Sequence, residues 1–209
     1  MTHITPSFNP KYAHLIETAA SQTYSELGLY LQEHLIKIWI NDYKTQCNRL
    51  TDIGSMYNGS FEYIYDDCES LLRKGVINDD SIESRMLAVT GTSSPKISKR
   101  DDYRLKGWLG KTETIFGKEW DKGHFIAHSI GGAIDSIEIN VFPQKRALNR
   151  GWSEEGKIFR KMETYCFENP DTYCFTRPIY SDQSSRPSFL EFGILKHDKT
   201  LWTETFNNH

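Results

Sequence analysis

The sequence predicts an α+β fold with a helical N-terminal extension, and two observations made along the chain predict it. Charge divides the chain: residues 1–90 carry 7 basic and 12 acidic side chains, whereas residues 91–209 carry 18 and 16. Patterning divides it at the same place, with helical periodicity before residue 90 and short β-type runs after it. A chain of 209 residues with 38% hydrophobic and 13% aromatic content can bury a core without disulfide or metal staples, and is too apolar for disorder.

The N-terminal elements follow from caps and apolar spacing. Ser21 can cap a long helix in which Tyr24, Leu27, Leu31, Leu35, Ile38 and Trp39 recur three or four residues apart. Asn58-Gly59-Ser60 opens a second helical stretch through Tyr63, Leu71 and Leu72, with Gly75 as its stop. Asp80 and Glu83 fit a capping box before a short helix from Met86 to Val89. After the Thr92-Ser93-Ser94-Pro95 loop, the runs Tyr103–Leu109, Ile137–Phe142, Tyr173–Tyr180 and Phe189–Leu195 read as strands. Ile158, Phe159 and Met162 share one face of a helix from about Ser153 to Cys166.

Composition alone speaks against nucleic acid, because the net charge is −3 and the pI about 6.2, whereas small DNA-binding domains are usually basic. No stretch approaches the roughly 20 apolar residues of a membrane span, so no membrane role is expected. Met1 to Pro10 lacks a secretory pattern, and Cys47, Cys68, Cys166 and Cys174 show no CxxC spacing. Reduced thiols and a cytoplasmic location are the expectation.

The informative segment starts at Asp121-Lys122-Gly123-His124-Phe125-Ile126-Ala127-His128-Ser129-Ile130-Gly131-Gly132. Asn140-Val141-Phe142-Pro143-Gln144, Leu148-Asn149-Arg150-Gly151-Trp152 and Arg160-Lys161-Met162-Glu163 follow. A neutral histidine set by a glycine-containing turn can take a proton from water. An asparagine carbonyl is a hard, uncharged ligand suited to Mg²⁺, which keeps most of its waters. Residues 141–161 carry six basic and two acidic side chains, enough to hold a polyanion, although such a cluster is also the ordinary make-up of a solvated helix face. A general base, a metal ligand and a phosphate clamp are the parts of a phosphodiester hydrolase.

The order of these motifs resembles the DNA/RNA non-specific endonucleases, the ββα-metal or His-Me finger nucleases with an Asp-Arg-Gly-His signature. The Ile-Ala-His-Ser-Ile-Gly-Gly run is similar to the branch found among bacterial toxins. The resemblance covers roughly residues 100–195 and implies a ββα-metal core at 91–209. The acidic region 1–90 would then serve regulation, oligomerisation or partner docking.

By this resemblance His124 is the general base, Asn149 the direct ligand of Mg²⁺ (with Mn²⁺ as a substitute), and Glu163 the helix carboxylate that orients metal-bound waters. Asp121 holds the turn and Asn140 places the strand beside His124, while Lys122, Arg150 and Arg177 contact substrate phosphate. Lys122 stands where the signature has arginine, which removes the bidentate fork. Fourteen residues separate Asn149 from Glu163, a longer interval than in the family. The implied activity is Mg²⁺-dependent, sequence-independent cleavage of DNA and RNA, in a toxin with its immunity protein or in an anti-phage effector.

Three bland or competing readings stand beside this one. Asn149 is also a good helix N-cap. His124 and His128 have the spacing of a helical zinc pair, although Phe125 replaces the glutamate that zincins place after the first histidine. A nuclease fold without turnover, binding nucleic acid or a protein partner, is the alternative function.

Overall fold

The computed structural model describes residues 10–47, 49–79, 82–95, 115–133 and 138–209. Its N-terminal helices are α1 (Pro10–Thr18) and α2 (Tyr24–Gln46). α2 starts at Thr23 rather than Ser21 because Glu26 closes a capping box there. The Thr23 hydroxyl accepts from the Glu26 N–H, and the Glu26 carboxylate accepts from the Thr23 N–H at 2.8 Å. Leu27, Leu31, Leu35 and Trp39, each four residues on, form its buried stripe.

The helical reading of residues 58–89 is corrected. Ile53–Asn58 (β1) and Phe61–Asp66 (β2) form an antiparallel hairpin, turned at Gly59-Ser60 with Gly59 at φ +61°. Gly59-Ser60 is therefore a hairpin turn, which the flanking aromatic and β-branched residues support. Among the described residues of that stretch, only Cys68–Arg73 (α3) is helical, and Gly75 follows its end at φ +66°. Arg85–Thr92 (β3) is a strand buried on both faces, so its apolar run is continuous and imitates a buried helix. Asp80 lies outside the described residues, as does the Tyr103–Leu109 run.

The second half supplies Trp120–His124 (β4), Val141–Lys145 (β5), Arg146–Asn149 (α4), Glu154–Glu168 (α5), Tyr173–Ile179 (β6), Phe189–Leu195 (β7) and Leu201–Asn207 (β8). A 3₁₀ turn, Glu138–Asn140, precedes β5, so that strand starts later than its sequence run. β8 has no counterpart in the sequence reading. Among the described residues, an antiparallel sheet runs β1-β2-β3-β6-β7-β8, and β4 pairs with β5 in a separate ribbon. β3 pairs with β6, so the sheet joins strands from both sides of residue 90.

One sheet face carries Ile64, Leu87, Ala88, Tyr173 and Phe175 against α1 and α2. The other carries Phe61, Tyr63, Val89, Cys174, Phe192 and Phe206 against Phe159, Met162 and Cys166 of α5 and Phe125 and Phe142 of the ribbon. Sheet, ribbon and α5 thus share one core, and α1 and α2 close the far side. All four cysteines are free thiols. Among the described residues, no helix is long and apolar enough to cross a membrane.

α2 is therefore expected to unfold with the sheet. Leu31→Ala, at a fully buried position, should lower global stability by about 2–5 kcal/mol in a single denaturant transition. A separate early transition confined to the N-terminal helices would contradict this.

Candidate active site

The ribbon and the two helices after it assemble the candidate site. Register pairs His124 with Val141, Gly123 with Phe142 and Asp121 with Gln144. A side chain on Gly123 has no room, since a Cβ there would lie 2.2 Å from the Gln144 amide oxygen. The glycine before the histidine thus sits inside a strand, where it lets buried Gln144 lie across the ribbon.

The backbone after His124 is fixed by Asn140, which is fully buried. The Phe125 N–H donates to the Asn140 carbonyl at 3.0 Å, and the Ile126 N–H to Asn140 Oδ1 at 3.0 Å. Asn140 Nδ2 donates in turn to the carbonyls of Ile126 at 2.8 Å and Ala133 at 2.9 Å. Thr176 of β6 donates to the Phe125 carbonyl at 2.6 Å, tying this segment to the main sheet. His124 itself is half-buried at the end of β4.

Asp121 is the electrostatic centre. Its carboxylate accepts from Arg146 Nε at 2.9 Å, Arg150 Nε at 2.6 Å, Arg150 Nη2 at 3.0 Å and Asn149 Nδ2 at 3.3 Å. Partial burial raises its pKa, but the bonds from Arg150, Arg146 and Asn149 outweigh that, and the carboxyl lies below its ordinary range. A carboxylate can only accept, so it turns the amide NH₂ of Asn149 toward itself. That leaves Asn149 Oδ1 with no hydrogen bond among the described residues. An oriented, unengaged carbonyl oxygen fits a hard divalent cation.

Asn149 ends α4, so it is not a helix N-cap. Gly151, at φ +70°, turns the chain, and Ser153 caps α5 by accepting from the Gly156 N–H at 3.0 Å. Arg160 then joins the two candidate ligands. Its Nη2 donates to the Asn149 carbonyl and its Nη1 to Glu163 Oε2, the latter at 2.8 Å. The long interval between Asn149 and Glu163 is taken up by the turn at Gly151 and nearly three turns of α5, after which Arg160 bridges the two residues. Glu163 is 8% exposed; burial pushes its pKa up against the opposing effect of Arg160.

Lys122 is half-buried on β4, and Arg150 is exposed beside Asp121. Arg177 is not brought to this site. It lies on the α2 face of the sheet, with Asp42 at 3.4 Å and Glu191 at 3.5 Å, while its neighbour Thr176 faces the ribbon. His128 begins a 3₁₀ turn and His124 ends a strand, so the helical spacing of a zinc pair is not formed. The bridging role of Arg160 is absent from the sequence reading. Its position three residues before Glu163 was the available signal, as such pairs meet on a helix.

No family model and no curated protein matches the chain. It is similar to a solved structure described as Sda1 nuclease with bound zinc ion, at 17% identity, 80% coverage of this chain, 81% of that chain and TM-score 0.36. It is also similar to one described as an extracellular endonuclease, at 12% identity, 79% coverage of this chain, 85% of that chain and TM-score 0.37.

Asp121 gives the fold a pH signature. Its folded pKa is depressed, so its stabilisation is complete above the unfolded value near 4 and is lost as pH falls through the lower folded value. Asp121→Asn should cost about 1–2 kcal/mol at pH 7, and urea titrations should show that gap closing below about pH 4. A gap that stays constant with pH would contradict the ion-pair account.

Proposed function

We propose that this chain is a metal-dependent phosphodiester hydrolase, a sequence-non-specific endonuclease of DNA and RNA built on a ββα-metal core. The observation that carries the reading is the orientation of Asn149. Asp121 holds its amide nitrogen, Arg160 holds its backbone carbonyl, and the same Arg160 holds Glu163. Such restraint suits a ligand, because a cation that keeps most of its waters depends on a few well-placed protein oxygens. The order of motifs from Asp121 to Glu163 supports the same reading.

In this account His124, neutral near pH 7, accepts a proton from the water that attacks phosphorus. Asn149 Oδ1 would be the direct protein ligand of the metal, and Glu163 would hold the waters around it. Mg²⁺, or Mn²⁺ in its place, would supply charge neutralisation at the scissile phosphate and a water able to protonate the leaving 3′ oxygen. Lys122 and Arg150 sit on the substrate side. No step calls on a 2′-hydroxyl, so both DNA and RNA are substrates, and contacts to the backbone leave cleavage independent of sequence.

A cell that holds such an activity needs restraint, which a toxin's immunity protein or the trigger of an anti-phage effector supplies. With the inner stripe of α2 buried in the fold, a regulatory partner or second copy would meet the outer side of that helix. The second reading, a nuclease fold that binds without turnover, has two contacts in its favour: Arg160 occupies a Glu163 oxygen, and Asp121 occupies Arg150.

Plasmid DNA and total RNA incubated with the purified chain should both be degraded in Mg²⁺ and spared in EDTA. His124→Ala should slow cleavage by about 10²–10⁴-fold. Cleavage that persists in EDTA, or that His124→Ala leaves unchanged, overturns the mechanism; binding without turnover in Mg²⁺ and Mn²⁺ supports the second reading.

A further inference from the structure

The residue three positions beyond Asn149 has no structural employment. Trp152 exposes 63% of its surface and belongs to neither hydrophobic cluster. Its position is nonetheless fixed. Its backbone N–H donates to the Ala147 carbonyl at 2.8 Å, and it stands between α4 and the Ser153 cap of α5. The Arg150 guanidinium lies 5.0 Å from its ring centre while being held by Asp121 in two hydrogen bonds. The ring therefore has a rigid cationic backing supplied by the same carboxylate that orients Asn149.

Trp152 also borders a cleft of about 550 Å³ that runs along α4 and is shared with Lys118, Lys145, Arg146 and Leu148. That volume suits a nucleotide-sized group. The cleft's charges are partly paired: Lys145 with Glu119 at 2.9 Å, and Arg146 with Asp121 at 2.9 Å. An indole backed by a cation, opening on a cleft lined by three basic and two acidic side chains, matches one ligand chemistry: a flat π-system joined to phosphate.

Resting on the nuclease reading, we infer that Trp152 is a stacking platform for a nucleobase next to the scissile phosphate, so the chain cuts single strands and unpaired ends in preference to intact duplex. In a duplex both faces of each base are covered, and freeing one costs a few kcal/mol. A single strand offers its bases without that cost, and stacking on an aromatic ring tolerates any base. The platform therefore selects strandedness while leaving sequence unread.

The test follows cleavage of a labelled single-stranded oligonucleotide and its duplex by the wild type, Trp152→Phe and Trp152→Ala. Binding of the same single strand is read by fluorescence anisotropy in EDTA. The wild type should favour the single strand. Trp152→Ala should raise KM for it by about 5- to 150-fold, the range that stacking of one base supplies, with kcat within about twofold. Trp152→Phe should restore most of the loss, and the duplex should respond little. Equal KM and equal binding for wild type and Trp152→Ala would overturn the inference. Weaker binding by Trp152→Ala, with no cleavage by any form, would uphold the platform and overturn the hydrolase reading alone.

Discussion

The site depends on one carboxylate that joins a strand to a helix. Asp121 projects from β4 and gathers Arg146, Asn149 and Arg150 from α4 and its end. It is nearly enclosed, with 12% of its side chain exposed, so its charge would be costly without those donors. The donors are likewise immobilised by it. The amide of Asn149 takes one orientation because the carboxylate has no hydrogen to give, and the guanidinium of Arg150 is held over the Trp152 ring, 5.0 Å from its centre. A candidate metal ligand and a candidate stacking ring are thus set by a single anion.

The remaining architecture keeps β4 where that anion can act. Phe125 and Phe142 stack at 4.3 Å between ring centres and carry the ribbon into the core shared by α5 and the sheet. Asn140 ties the backbone beyond His124, and Gly123 leaves space for Gln144. On the far side, the Trp39 indole donates to the Tyr12 hydroxyl at 2.7 Å, which donates to Glu191 at 2.9 Å, beside Arg177. Burial raises the Glu191 pKa against the pull of Arg177. This network secures α1 and α2 to the sheet, and it accounts for Arg177 as a structural cation.

How much was legible in the sequence varies with how local the signal was. α2 and α5 carry their own caps and apolar stripes, and both were readable, with Thr23 displacing Ser21 because only Thr23 has a glutamate three residues on. β6 and β7 stood out as apolar runs. β2 and β3 did not: β3 is buried on both faces, which removes its alternation and makes it resemble buried helix. Its partner β6 lies more than eighty residues away, beyond any local pattern. In the candidate site, Asp121, His124, Asn140, Asn149 and Glu163 were marked by motif order. Arg160's two hydrogen bonds, one to Asn149 and one to Glu163, and the placement of Arg177 on the opposite face depend on chain reversal at Gly151 and on sheet facing, which spacing alone does not encode.

The central claim is that Asp121 presents Asn149 Oδ1 to a divalent cation. Titration of Mn²⁺ into the protein, followed by electron paramagnetic resonance of the free ion, tests it without reference to substrate. The account predicts one Mn²⁺ per chain, displaced by Mg²⁺, with affinity lowered by about 10- to 100-fold or more in Asn149→Ala. Equal Mn²⁺ binding by the wild type and Asn149→Ala, or no binding by the folded wild type, would contradict it.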